Sequence, residues 1–133
     1  METKTIHYFS YAEAVAIHIF LMREYGEIRY GVADRSLVES ALARPRQAAA
    51  YENADLIRQA ATLCFGLIKN HPWVGGNKRT ATAITQAFLK KNHLIYYARV
   101  GETFQMVLKV ESDIWQVDEI ETWLRARVHP FKK

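Results

Sequence analysis

Between Leu56 and Ile68 the apolar residues Leu56, Ile57, Ala60, Leu63, Cys64, Leu67 and Ile68 recur at helical spacing. The face they make is broad, as expected of a central, mostly buried helix. The rest of the chain has the same period. Ser10, with Glu13 three residues on, forms a capping box for a helix running to about Glu24, with Ala14, Ile17 and Leu21 on its buried side, and Gly26 stops it. Asp34 or Ser36 caps a short helix through Ala43, which Pro45 ends because the residue before a proline is pushed out of helical geometry. Residues 44–54 lack a clear period, and Asn53 or Asp55 caps the central helix. Beyond it the pattern predicts a helix ending near Asn92 and a short strand or buried connector from Leu94 to Tyr97. Two more helices come after that, near Thr103 to Val110 and from Asp118 to about Val128, the second with Ile120, Trp123, Leu124 and Val128 on one face. The sequence has no repeats, low-complexity tracts or linkers, so the expected fold is all-α, a single domain over residues 1–133.

Composition narrows the setting. A chain of 133 residues, half of them hydrophobic, can bury a real core. The one cysteine, Cys64, rules out an internal disulfide framework and reads as a buried, inert thiol. The start, Met-Glu-Thr-Lys-Thr-Ile-His, has no apolar signal core, and no apolar run approaches the roughly 18 residues of a membrane span, so a cytoplasmic protein without a membrane partner is expected. A net charge of +4 and a pI near 9.3 favour an acidic partner. The basic residues are nevertheless spread out, and Lys90-Lys91 and Lys132-Lys133 read as solvated ends, so direct nucleic-acid binding is not expected. His7, His18 and His93 are isolated and without metal-ligand spacing, which assigns them core or surface roles. His129-Pro-Phe131 reads as a tail.

Chemistry-bearing residues gather in one stretch, His71-Pro-Trp-Val-Gly-Gly-Asn-Lys-Arg79, between two apolar helical segments. Gly75 and Gly76 have no Cβ, so the backbone there can turn its amides toward an anion. From Thr80 onward Ala81, Ile84, Phe88 and Leu89 keep helical spacing, which puts Asn77 to Thr80 in a first turn. Unpaired N–H groups and the helix dipole favour negative charge at such a turn. Lys78 and Arg79 add mobile positive charge, and arginine can hold two phosphate oxygens at once. The reference pKa of histidine, roughly 6.5, lets neutral His71 accept a proton near physiological pH. A base beside a phosphate cradle results.

The stretch resembles the core motif of the Fic/Doc family: His, Pro, Phe, any residue, Asp or Glu, Gly or Ala, Asn, Gly or Lys, Arg. Gly31-Val32, Leu37-Val-Glu-Ser-Ala-Leu-Ala-Arg-Pro-Arg-Gln47 and Gly66-Leu-Ile-Lys-Asn70 resemble the segments before the motif in Doc-type (death-on-curing) members, and Phe88-Leu-Lys-Lys-Asn92 resembles the segment after it. The resemblance implies a single-domain helical bundle, with the motif joining two central helices and a short β-hairpin flap over the site. By position that flap falls at residues 44–55. It further implies that His71 is the base acting on a target hydroxyl. Gly75, Gly76, Asn77, Lys78 and Arg79 would bind ATP phosphates, Arg79 with a catalytic share. Trp73 stands where the family usually has Phe and would anchor the loop in the core, needing a partner for its indole N–H.

Two departures bear on the reaction. AMP-transferring relatives have Gly after the motif Asn and a second arginine three residues past the first, where this chain has Lys78 and Thr82. That is the Doc pattern. It implies transfer of the γ-phosphate of ATP to a Ser/Thr hydroxyl of a translation factor, elongation factor Tu, by the toxin of a toxin-antitoxin pair, with AMP transfer as the alternative. Gly75, in turn, stands where the family has its Mg²⁺-binding acid, so Mg²⁺ binding is expected to be weakened. Three outcomes stay open: the metal is held by phosphate and water alone, an acid such as Glu52 or Asp55 substitutes, or the chain is a nucleotide- or antitoxin-binding module without catalysis. Self-inhibited relatives carry Ser or Thr four residues before a Glu that Gly or Asn follows. The single Glu-Asn pair here, Glu52-Asn53, has Ala48 at that position, so control is expected in trans from a small antitoxin.

Overall fold

The computed structural model describes residues 5–99 and 101–131; the first four residues and the Lys132-Lys133 end lie outside them. Among the described residues there are six helices and two short strands: α1 (Tyr11–Glu24), α2 (Arg35–Glu52), α3 (Leu56–Asn70), α4 (Asn77–Lys91), β1 (Leu94–Tyr96), α5 (Glu102–Glu111), α6 (Val117–Arg125) and β2 (Val128–Pro130). The fold is all-α with a small antiparallel sheet.

The broad apolar face predicted for the middle of the chain is α3, the axis of the bundle. Nine of its fifteen residues are buried, among them Ala60, Leu63, Cys64, Leu67 and Ile68. It packs against α2, α4, α5 and α6. Phe88, Ile84 and Leu89 of α4 and Ile120 and Leu124 of α6 complete a continuous core, in which each fully buried large side chain contributes about 1.5–3 kcal/mol. Asp55 caps α3 by accepting the Arg58 N–H at 2.9 Å. The α1 box closes as expected, with Ser10 Oγ taking the Glu13 N–H and the Glu13 carboxylate taking the Ser10 N–H.

Pro45 does not end a helix. It lies inside α2, which runs on to Glu52 and is capped by Asn53 at φ 53°. A proline here removes one helical hydrogen bond and crowds the carbonyl four residues back, a cost of about 3 kcal/mol. The helix persists because its buried stripe, Val38, Ala41, Pro45 and Ala48, passes through the proline and keeps its contact with α3. Consequently residues 44–52 are helical and form no β-hairpin flap. Glu52 and Asp55 instead belong to an ion-pair network with Arg58, Arg125, Asp118 and Glu121 that ties the start of α3 to α6.

The strand expected after Asn92 is β1, and its partner is β2, with Leu94, Ile95 and Tyr96 opposite Pro130, His129 and Val128. Val128, read from the sequence as the last helical residue, and His129, read as tail, are therefore sheet residues.

Candidate active site

His71 closes α3 in the left-handed conformation, φ 47° and ψ 55°. For a side chain with a Cβ this costs about 1–2 kcal/mol, and strain of that kind persists where surrounding structure enforces it. The chain then turns through Pro72 to Gly76 and enters α4. Its loop is laced to residues 31–34: Val74 N–H donates to the Gly31 carbonyl at 2.8 Å, and Ala33 N–H to the Pro72 carbonyl at 2.9 Å. Trp73 is buried and stacks on the His18 ring at 4.3 Å between centroids, 13° from parallel. The loop is thus anchored in the core as expected. The indole Nε1, however, is buried with no acceptor among the described residues.

His18 is itself fully buried. Gly31 N–H donates to its Nε2 at 3.0 Å, which leaves Nδ1 to carry the proton and donate to Thr80 Oγ1 at 2.9 Å. One neutral imidazole therefore joins α1, the Gly31 segment, Trp73 and the first turn of α4.

Gly76 is the N-cap of α4 at φ 65°, and no side chain caps the helix. The first intrahelical bond is Thr80 N–H to the Gly76 carbonyl, at 2.8 Å. The amides of Asn77, Lys78 and Arg79 precede that bond and lie in the dipole-positive first turn. Together with His71, Glu27, Thr82, Thr103, Phe104 and Val107, residues 76–79 line a cleft of about 500 Å³. The His71 side chain is 52% exposed at its edge and so open to an incoming molecule.

The Asn77 carboxamide is engaged within the loop. Its Oδ1 accepts the Trp73 N–H at 3.0 Å and its Nδ2 donates to the Trp73 carbonyl at 2.9 Å, so the carboxamide closes the loop, and the group the residue offers an anion is its backbone N–H. Lys78 Nζ faces Glu111 Oε1 at 3.4 Å. The Arg79 guanidinium lies 3.8 Å from the Tyr25 ring centroid and 3.8 Å from Glu27 Oε1. These half-exposed pairs contribute about 0–1 kcal/mol each, too little to keep a polyanion out.

Gly75 keeps a negative φ, and a Cβ there would lie 3.0 Å from the Arg29 carbonyl oxygen, so a side chain asks the exposed segment around Arg29 to give by a few tenths of an ångström. Gly75→Ala sets that small displacement against the lower unfolded-chain entropy of alanine, so it is expected to change stability by less than about 1 kcal/mol, read from the urea midpoint. Glu52 and Asp55, the acids considered as substitutes, are not among the cleft residues. The carboxylates that do approach the motif, Glu27 and Glu111, each face a cation. Among the described residues no three His, Cys, Asp or Glu side chains gather to hold a metal. The motif loop thus offers no carboxylate for Mg²⁺, and Glu27, set against Arg79, is the one acid among the residues lining the cleft.

Sequence reasoning missed Glu27, Glu111 and the part played by His18. Glu111 approaches His71 from 40 positions downstream, Nε2 to Oε2 at 3.1 Å, a separation no local pattern encodes. His18 did leave a signal, since it shares a helical stripe with Ala14 and Met22.

The model of the Fic/DOC family matches residues 8–89. That span is more than half of the chain and contains the loop, α3 and nearly all of α4, so the chain belongs to the Fic/DOC family, whose members are transferases. A comparison with curated proteins returned no match. No helix among the described residues is long and apolar enough to cross a membrane.

Proposed function

We propose that the protein is a Doc-type toxin that transfers the γ-phosphate of ATP to a Ser or Thr hydroxyl of a translation factor, elongation factor Tu, and is restrained by a small antitoxin acting in trans. The observation that carries this reading is the half-exposed His71 imidazole at the edge of a cleft formed by the uncapped first turn of α4 with Lys78 and Arg79. In the proposed step the target oxygen attacks the γ-phosphorus, the bond from that phosphorus to its bridging oxygen breaks, and ADP leaves with the electron pair. The hydroxyl proton passes to the imidazole. Lys78, Arg79 and the amides of residues 77–79 stabilise charge on the phosphate oxygens, where most of the catalytic effect in phosphoryl transfer arises. Mg²⁺ entering with the nucleotide would be held chiefly by phosphate and water, since the motif loop supplies no carboxylate.

Thr82 supports phosphate over AMP transfer: it lines the cleft where AMP-transferring relatives have an arginine, and its hydroxyl is turned to the Arg79 carbonyl at 3.0 Å. Incubation with ATP labelled at the γ- or α-phosphate, Mg²⁺ and elongation factor Tu tests the reading. Label from the γ-position on the factor is expected. Label from the α-position instead makes the reaction AMP transfer, and bound nucleotide without any transfer makes the protein a binding module.

A further inference from the structure

Glu111 is the last residue of α5, where its carboxylate meets the negative end of its own helix dipole, an unfavourable arrangement. Its position is therefore not explained by the helix that carries it. The groups it faces belong to two residues of the loop motif: Oε2 lies 3.1 Å from His71 Nε2 and Oε1 lies 3.4 Å from Lys78 Nζ. The turn after α5 is clamped to the same place, because Asp113, in the left-handed conformation at φ 63°, is hydrogen-bonded to Lys69 in the last turn of α3. Residues 111–113 are thus held against residues 69–71 at two points, and Glu111 is not a freely wandering surface acid.

We propose that Glu111 is the positioning residue of His71: it holds the imidazole with its proton on Nε2 and so makes Nδ1 the atom that receives the hydroxyl proton. A carboxylate oxygen only accepts hydrogen bonds, so the nitrogen facing it carries the hydrogen, and a neutral imidazole then has its lone pair on the other nitrogen. When Nδ1 takes a proton the ring becomes an imidazolium, and the adjacent carboxylate stabilises that charge while keeping the ring in place. The contact to Lys78 gives the base and the phosphate-binding cation a common support. The role in transfer rests on the phosphotransfer reading, whereas the state of the ring does not.

Nitrogen-15 NMR of the histidine side chains, with His71 assigned through its substitution, reads the tautomer directly in the parent, Glu111→Gln and Glu111→Ala proteins, and thermal melts check that each is folded. The neutral His71 ring is expected as the Nε2–H form in the parent and in Glu111→Gln, whose carbonyl oxygen still accepts, and as a mixture in Glu111→Ala. In the labelled-ATP assay kcat is expected to fall about tenfold in Glu111→Ala, a part of the effect a well-placed base supplies, with KM for ATP little changed. The glutamine variant, which keeps the hydrogen bond and loses the charge, falls between. An unchanged ring in Glu111→Ala overturns the proposal. So does a gain in ATP affinity and rate, which would make Glu111 a competitor for the phosphate seat. If even the parent transfers nothing, the phosphotransfer reading fails and the spectra still decide what Glu111 does.

Discussion

Replacing His71 by glycine is expected to lower phosphate transfer by about 10²- to 10⁴-fold, the contribution of a positioned base, while leaving the bundle as stable as the parent or more stable by up to about 1 kcal/mol. The two effects have different physical sources. A neutral hydroxyl attacks phosphorus poorly, and the imidazole that would take its proton is gone. At the same time the residue sits at φ 47°, a conformation that glycine adopts without the Cβ clash any other residue suffers. Removing the ring also removes its contact with Glu111, an exposed pair worth about 0–1 kcal/mol, which offsets part of the gain. His71→Ala separates the contributions: it should lose the same activity with no relief of strain, because alanine keeps the Cβ. Initial rates with γ-labelled ATP and urea unfolding of the three proteins measure both quantities. Activity surviving in both variants would remove His71 from the reaction. A glycine variant markedly less stable than the alanine variant would mean that the left-handed turn is not a strain the fold imposes.

How far the sequence discloses this arrangement depends on the range of the interactions. The Ser10–Glu13 box, the Asp55 cap, the buried face of α3 and the first turn of α4 are set by residues within a turn or two of one another, and each stands where its pattern places it. The course of α2 through Pro45 was hidden because local rules end a helix there, and only packing of Val38, Ala41, Pro45 and Ala48 on α3 reverses the outcome. The same holds for β2: Val128 continues the apolar face of α6 in the sequence, but pairing with Tyr96 across 32 positions draws it into a sheet. Within the candidate site the motif disclosed the histidine, the first-turn amides and the cations, whereas the acids beside them, Glu27 and Glu111, come from segments outside the motif. Asn77 shows a further limit. Its residue type suits phosphate binding, and only geometry shows that its side chain is spent on both backbone groups of Trp73.

Acidification from pH 7 to 4 is expected to remove about 3 kcal/mol of stability through His18 alone, a large share of the roughly 5–15 kcal/mol typical of a folded domain. Burial pushes the His18 imidazole down to about 4 from its ordinary 6.5. Below 6.5 the unfolded chain therefore takes up a proton that the folded protein refuses, and stability falls with pH until the folded ring also titrates near 4. The carboxylates held below their usual range by hydrogen bonds or ion pairs, Glu13, Asp34, Asp55 and Glu102, act lower, as pH falls below about 4.5, so the upper part of the window belongs to the histidine. Urea unfolding at half-unit steps from pH 7 to 4.5 should show a falling midpoint in the parent and a nearly flat one in His18→Phe, whatever its absolute stability. A parent that is flat over this range, or a variant that keeps the slope, would refute the assignment. Protonation turns Nε2 from an acceptor into a donor pointing at the Gly31 N–H, so two donors face each other at 3.0 Å in the segment whose Gly31 carbonyl holds Val74. The same ring stacks on Trp73 and donates to Thr80 of α4. Acid should accordingly loosen the loop from 71 to 76 before the bundle melts, seen as faster amide exchange at Gly31 and Val74 than in α3.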